Sequence, residues 1–383
     1  MGLCRLLAMG GPMGGWLGEC FAGLPDPRSG NATRHKLIEV VTIALVASVC
    51  GAESCVDFAD FARDREPLFR EFLALEHGPP SHDTFSRLFR LLDPTAFGAC
   101  FAHFLDGLGE DGRGVVAIDG KTLRRSFDRA AGASPLHVVT AFACDARLVL
   151  GQAAVPPGGN EITAARDLLG LLDLTGMLVT GDAIHCQTET AALVQARGDD
   201  WLFALKANRP SVLAEVECFF ADPTNPVERH TTTDAEHGRI ETRRHAVSAE
   251  VACLTSDRRY PGEPALPGMA MIGMVEAVVE GASRISPTRR YYLASAALGA
   301  ERFTEAVRAH WRIENSPHWV LDTTFDEDRA RTRKDHGPEN LAILRKLALN
   351  LLRTARLDLS IRRKRKRSGW SDEFARSILG QMR

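Results

Sequence analysis

The chain predicts an α/β protein in which a mixed β-sheet is covered by helices and preceded by an all-helical segment. Three observations carry that expectation. Between 33 and 108 the apolar residues recur with helical spacing. From 114 to 208 three strand-like runs are followed by strands alternating with helices, in the order βββαβαβ. Near 300 a helical period returns after a stretch that lacks one.

The helical segment opens after "GLPDPRSGN" and contains "RHKLIEVVTIALVASVCG", "SCVDFADFARDREPLFREFL" and "SHDTFSRLFRLLDPTAFGACFAHFLDGL", where Ser81 or Asp83 can act as N-cap. "GEDGRG" breaks it. "GVVAID", "LHVVTAFAC" and "RLVLGQAAV" then pair as antiparallel neighbours through short connections. "EITAARDLLGLLDL" reads as a helix, "MLVTGDA" as a buried strand, "QTETAALVQARG" as a helix and "WLFALKAN" as a strand. Strands alternating with helices imply parallel crossovers, with ligands at strand ends. Residues 222–300 read as a β-rich insertion, "ERFTEAVRAHWRIEN" and "PENLAILRKLALNLLRTAR" as helices, and "RRKRKR" as a basic tail. The expected organisation is a loose leader over 1–25, a helical domain over 26–110, a catalytic domain over 111–360 and the tail over 361–383.

A net charge of -2 over 383 residues excludes a global nucleic-acid signature, so a polyanion must be met by local patches. Nine scattered cysteines without a CxxC pair argue against a disulfide framework and a thiolate zinc site, and suit a reducing cytoplasm. The start of the chain lacks a clear cleavage site for a signal peptide. "LIEVVTIALVASVCGA" is short for a membrane span and carries Glu39, so it reads as a core helix and no membrane partner is expected.

The chemistry centres on two acids. Asp119 ends the apolar run "GVVAID", and Asp182 ends "MLVTGD". An acid at the end of a buried strand is costly unless paired or bound to an ion, although Asp-Gly also makes a turn pair. If the two strands are neighbours, both carboxylates emerge at one sheet edge and suit Mg²⁺ or Mn²⁺. A third carboxylate is needed to hold two ions. Glu314 is the most pointed candidate, on a helix that shares a side with Val307 and Trp311; Asp322, Asp326, Glu327 and Asp328 are the alternatives. Two ions would clamp the attacking and leaving oxygens of a phosphoryl transfer. His310, Glu314 and His318 have zinc-like spacing, but Pro317 should disrupt a continuing helix there.

These residues carry a resemblance. "AIDGKTLRRS", "NEITAARDLL", "TGDAIHCQ", "ALKANRP", "HGRIETRR", "HWRIENSPHWVLDTTFDED" and "NLAILRKLALNLLR", in that order over about residues 20 to 360, resemble the bacterial insertion-sequence DDE transposases of the ISAs branch, with a ribonuclease-H-like catalytic fold. The resemblance implies that Asp119, Asp182 and Glu314 form the catalytic, metal-binding triad for two Mg²⁺ or Mn²⁺ ions. It implies double-stranded DNA as partner, both terminal inverted repeats and target, with a dimer in the synaptic complex. Related enzymes place a Tyr and an Arg before the Glu; the nearest equivalents are His310 and Arg312, with no lysine after Glu314 until Lys334. Gly158 and Gly159 stand where a lysine and a serine are expected. Lys121, Arg124, Arg125, Lys206, His310 and Arg312 are candidate DNA contacts, with Arg209, Arg239, Arg243 and Arg244 as further cations along the path. The expected reaction is metal-dependent cleavage at the element ends and strand transfer by the freed 3′-hydroxyl. The rivals are a nuclease that cleaves without joining, and a non-catalytic DNA-binding descendant.

Overall fold

The computed structural model of the chain describes residues 20–103, 114–130, 132–236, 239–255, 265–280 and 287–379. Strands β1 (Val115–Thr122), β2 (His137–Ala143), β3 (Leu148–Ala154), β4 (Leu178–Gly181), β5 (Asp200–Leu205), β6 (Glu228–Glu236), β7 (Arg239–Ser248), β8 (Met271–Glu280) and β9 (Pro287–Ala294) form a 9-stranded sheet in the order β3-β2-β1-β4-β5-β9-β8-β7-β6. β1, β2 and β3 are antiparallel, whereas β1, β4 and β5 are parallel, as the βββαβαβ reading and the ribonuclease-H-like expectation require. The β-rich insertion extends this sheet, because β9 pairs with β5 and β8, β7 and β6 follow outward.

Before the sheet lie α1 (Leu37–Val49), α2 (Cys55–Asp64), α3 (His82–Leu91) and α4 (Pro94–His103). α2 starts on a capping box in which Ser54 accepts from the Asp57 N–H while the Asp57 carboxylate accepts from that of Ser54. Inside the sheet region α5 (Glu161–Leu171) follows β3, α6 (Thr188–Ala196) follows β4, and α7 (Pro210–Ala221) follows β5. Asn160 caps α5 by accepting from the Thr163 N–H. After the insertion come α8 (Ala300–His310), α9 (Trp319–Thr324), α10 (Gly337–Thr354), α11 (Ile361–Trp370) and α12 (Asp372–Leu379).

Helices cover both faces of the sheet, so β1 is apolar on both sides. Val115 and Ala117 join one core with α1–α4, α8 and α10, while Val116 and Ile118 join the other with α5, α6 and α7. The front helices were expected as a domain of their own. They share the first core with the sheet, because α10 is buried around its whole circumference and must be enclosed. Its polar side chains find backbone partners: Asn340 donates to the Phe89 and Leu92 carbonyls at the end of α3, and Asn350 pairs with both the N–H and carbonyl of Val149 on the edge of β3.

The ends of the chain differ from expectation as well. Of the anticipated leader, residues 1–19 lie outside the described residues, while Cys20, Phe21 and Leu24 are buried in the core. The anticipated basic tail is α11 followed by α12. Lys364 donates to the Leu352 and Ala355 carbonyls at the end of α10, and Arg365 donates to Ser48 and Ala52 at the end of α1 and to Thr324 at the end of α9. Basic side chains satisfying helix-terminal carbonyls turn a charge run into a docked helix.

Candidate active site

The strand register brings the two predicted acids together. Ile118 is the partner of Gly181 in the parallel β1–β4 ladder, so Asp119 and Asp182 are the next residues on adjacent strands at their carboxyl ends. Side chains alternate across a sheet, which puts Asp119 on the face of Ala117 and Asp182 on the face of Thr180. This is the face where α8 packs on β1 and β4. The opposite face explains the glycine that follows Asp119. A Cβ on Gly120 would lie 2.5 Å from the Glu161 carboxylate and 2.6 Å from His137, and one on Gly181 would lie 3.1 Å from His185. Glu161 sits between those imidazoles, 2.8 Å from His137 Nε2 and 3.2 Å from His185 Nε2. Neither its placement beneath the site nor its partners were anticipated; the "NEI" of that motif was the available signal.

Glu314 arrives from α8. His310 Nδ1 lies 3.1 Å from the Thr180 hydroxyl, fastening the end of that helix beside Asp182. Glu314–His318 is a π-helical turn containing Pro317, and the helix resumes in α9. The expected break at Pro317 is therefore absent. A widened π turn accommodates a residue with no N–H to donate, and such turns are frequent at functional sites. Arg353 donates to the Ser316 hydroxyl and holds the turn, and His318 Nδ1 lies 3.5 Å from Asp119 Oδ2. The two histidines thus face different partners, Thr180 and Asp119.

Asp119, Asp182 and Glu314 line one cavity of about 510 Å³, together with Lys206, Arg290, His310 and Trp311 among others. Its electrostatics are lopsided. Burial, then the Glu314 charge, pushes the Asp119 carboxyl up to about 6. Burial is the largest influence on Asp182 and acts to raise it, but the hydrogen bonds from Lys206 Nζ at 2.8 and 2.9 Å, that from the Ala183 backbone and the Lys206 charge together outweigh it and hold this carboxyl below its ordinary value. Burial lowers His310 to about 4 and His318 to about 3, leaving both imidazoles neutral near pH 7. Among the described residues no Lys or Arg pairs with Asp119. Carboxylates short of positive charge are the donor set of a hard divalent ion. Among the described residues no group of three or more His, Cys, Asp or Glu is gathered closely enough to hold a metal ion.

The alternatives for the third acid are engaged elsewhere. Lys121 Nζ binds Asp322 and, at 2.8 Å, the buried Glu327; Arg124 reaches Asp328 at 3.3 Å, and Arg329 reaches Asp326 at 3.6 Å. Lys121, expected against DNA, is mostly buried in this network, because it lies two residues after Asp119 and faces the same packed side of the sheet. His310 is likewise a nearly buried neutral group. Lys206 remains half-exposed on Asp182, Arg312 is 3.6 Å from Asp145, and Arg124 and Arg125 are exposed. Of the further cations, Arg209 is buried and donates to the Cys186 carbonyl, Arg243 pairs with Asp234 and Glu241, and Arg244 pairs with Glu276. The Arg239 side chain lies outside the described ones.

Asp119 and Asp182 thus end adjacent strands, and Glu314 lines the same cavity from a helical turn. The chain belongs to the family described as the transposase DDE domain, whose model matches residues 110–351, and residues 18–105 match the associated DDE_Tnp_1-associated model. It is 32% identical to the H repeat-associated putative transposase YhhI of Escherichia coli (strain K12), over 94% of this chain and 97% of the relative. It is 33% identical to the putative transposase YncI of Escherichia coli O157:H7, over 93% and 92%. Among solved structures, a piggyBac transposase synaptic complex with hairpin DNA overlays with a TM-score of 0.40 at 11% identity, over 99% of this chain and 80% of that one. No helix among the described residues is long and apolar enough to cross a membrane.

Proposed function

We propose that this chain is a catalytically competent DNA transposase that cleaves phosphodiesters at the terminal inverted repeats of an insertion sequence and joins the freed 3′ ends to target DNA. The observation that supports the reading is the convergence of Asp119, Asp182 and Glu314 on one cavity whose negative charge is incompletely compensated. Asp119, Asp182 and Glu314 are the residues that would hold Mg²⁺ or Mn²⁺, two ions in the full site, and these would supply neutralisation of phosphate charge and activation of the attacking oxygen.

The remaining side chains bind and position. Lys206 keeps Asp182 ionised and, being half-exposed, can transfer a hydrogen bond to a phosphate oxygen at the cavity mouth. His310, neutral and fastened to Thr180, sets where the Glu314 turn begins. Glu161 supports the strand ends from beneath through His137 and His185. A cavity of about 510 Å³ has room for a phosphodiester beside the three acids. Arg124, Arg125 and Arg312 are the exposed cations nearest in sequence to these acids and are assigned to the DNA path. Joining two ends calls for two copies of the chain in the complex.

The test is incubation of the protein with a supercoiled plasmid bearing the DNA that flanks its gene, with Mg²⁺ or chelator. Metal-dependent cleavage and joining at the repeat ends are expected, with Asp182→Ala and Glu314→Gln each losing at least about a hundredfold, comparable to removal of a main transition-state contact. Cleavage without joined product would favour a nuclease. Full activity in Glu314→Gln would remove that residue from the site.

A further inference from the structure

The geometry points to a second duplex-binding surface on α11, formed by Arg362, Arg363 and Lys366 beside the exposed ring of Trp370. This rests on the proposed action on DNA but concerns a face away from the acid cavity. The six-residue basic run is divided by the helix: Lys364 and Arg365 face inward on backbone carbonyls, while Arg362, Arg363, Lys366 and Arg367 face outward. Arg367 stacks on Phe374 at 4.4 Å. Among the described residues Arg362, Arg363 and Lys366 have no ion pair. Arg362, Lys366 and Trp370 recur at i, i+4 and i+8, a single stripe, and Trp370 is 74% exposed.

The arrangement is unfavourable without an anion. Arg362 and Arg363 occupy the first turn, where the helix dipole already presents positive charge, and like charges at i, i+4 repel. The stripe borders a cavity of about 490 Å³ that also includes Gly51, Thr324, Asp326 and Glu53. Glu53 is paired with Arg365 and Asp326 with Arg329, so the acids of this cavity do not neutralise the stripe. Arg365 fastens α11 to the Thr324 carbonyl, at the end of the helix that continues from the Glu314 turn. Three cations along a helix with a flanking aromatic match a phosphate backbone read by charge and not by sequence.

The experiment compares the full chain with the triple variant Arg362→Gln, Arg363→Gln, Lys366→Gln, measuring affinity for a mixed-sequence duplex across a salt series in chelator. Each lost phosphate contact lowers the slope of log K against log salt by about 0.9, so the slope should become shallower by roughly 2 to 3. The part of the tryptophan fluorescence change on duplex binding that Trp370→Phe removes should be present in the parent chain and smaller in the triple variant. The thermal midpoint should not fall, since among the described residues the altered side chains have no ion pair to lose. An unchanged slope overturns the surface while leaving the catalytic reading intact; failure of the parent chain to bind any duplex overturns both. Loss of binding to vesicles containing anionic lipid, with the DNA slope retained, would also overturn it in favour of a membrane partner.

Discussion

Residues 119 and 121 lie on one strand and one face, yet they enter opposite electrostatic regions. Asp119 enters a cavity with Asp182 and Glu314, where burial and a neighbouring carboxylate raise its proton affinity. Lys121 enters a buried network where Asp322 and Glu327 meet it and Arg345 and Lys346 stand close behind. Burial acts to raise Glu327, but the surrounding cations prevail and depress it to about 2. Lys346 is lowered to about 8 by burial and donates to Gln152 at 2.6 Å. The difference separates structure from site: charge compensated from within the protein fastens elements together, and charge left uncompensated awaits something from outside.

The comparison breaks most visibly at Lys121. Lys121→Met should cost about 3 to 5 kcal/mol, the scale for removing one partner from a buried ion pair, measurable by urea unfolding. A cost below about 1 kcal/mol would place Lys121 in a wetter setting and reopen it as a DNA contact.

The two regions should also respond oppositely to pH when metal is chelated. Asp119, raised to about 6, binds its proton more tightly folded than unfolded, so stability should rise as pH falls from 6 towards 4. Glu327, depressed to about 2, contributes stability above its unfolded pKa and loses it as pH falls from about 4.5 through 2. Thermal midpoints from pH 7 to 3 should lose the first trend in Asp119→Asn and the second in Glu327→Gln, each on the order of 2 kcal/mol. Absence of the upper trend would show that Asp119 is already balanced.

Smaller effects sharpen the picture. Gly120→Ala should displace the Glu161 carboxylate beneath the site and lower cleavage by about tenfold, the scale for loss of a supporting partner; parental activity would show that the Glu161 pair is incidental. Arg124→Ala should change stability by less than about 0.5 kcal/mol because its contact with Asp328 is largely exposed. Its effect should appear only as weaker DNA affinity at low salt.

Much of this arrangement was legible along the chain. The change from helical to twofold period located β1 and the parallel crossovers, and an apolar strand ending in an acid singled out Asp119 and Asp182. The insertion was legible as β-rich, but its continuation of the same sheet was not, since alternation shows that a strand forms and not which edge it joins. Pro317 was read through its effect on an ordinary helix, while packing around the turn produced a π turn instead. The basic run was visible as charge, and only the contacts of Lys364 and Arg365 with distant carbonyls separated inward from outward residues.

By itself the sequence determined most of the elements and the two strand-end acids, because periodicity and local burial are properties of neighbouring residues. The tertiary structure decided which charges remained available. Among five acids from Glu314 to Asp328 it placed Glu314 in the cavity beside Asp119 and engaged the other four with cations, and among the basic candidates it withdrew Lys121. Charge compensation joins residues about two hundred positions apart. No local pattern encodes such a partnership.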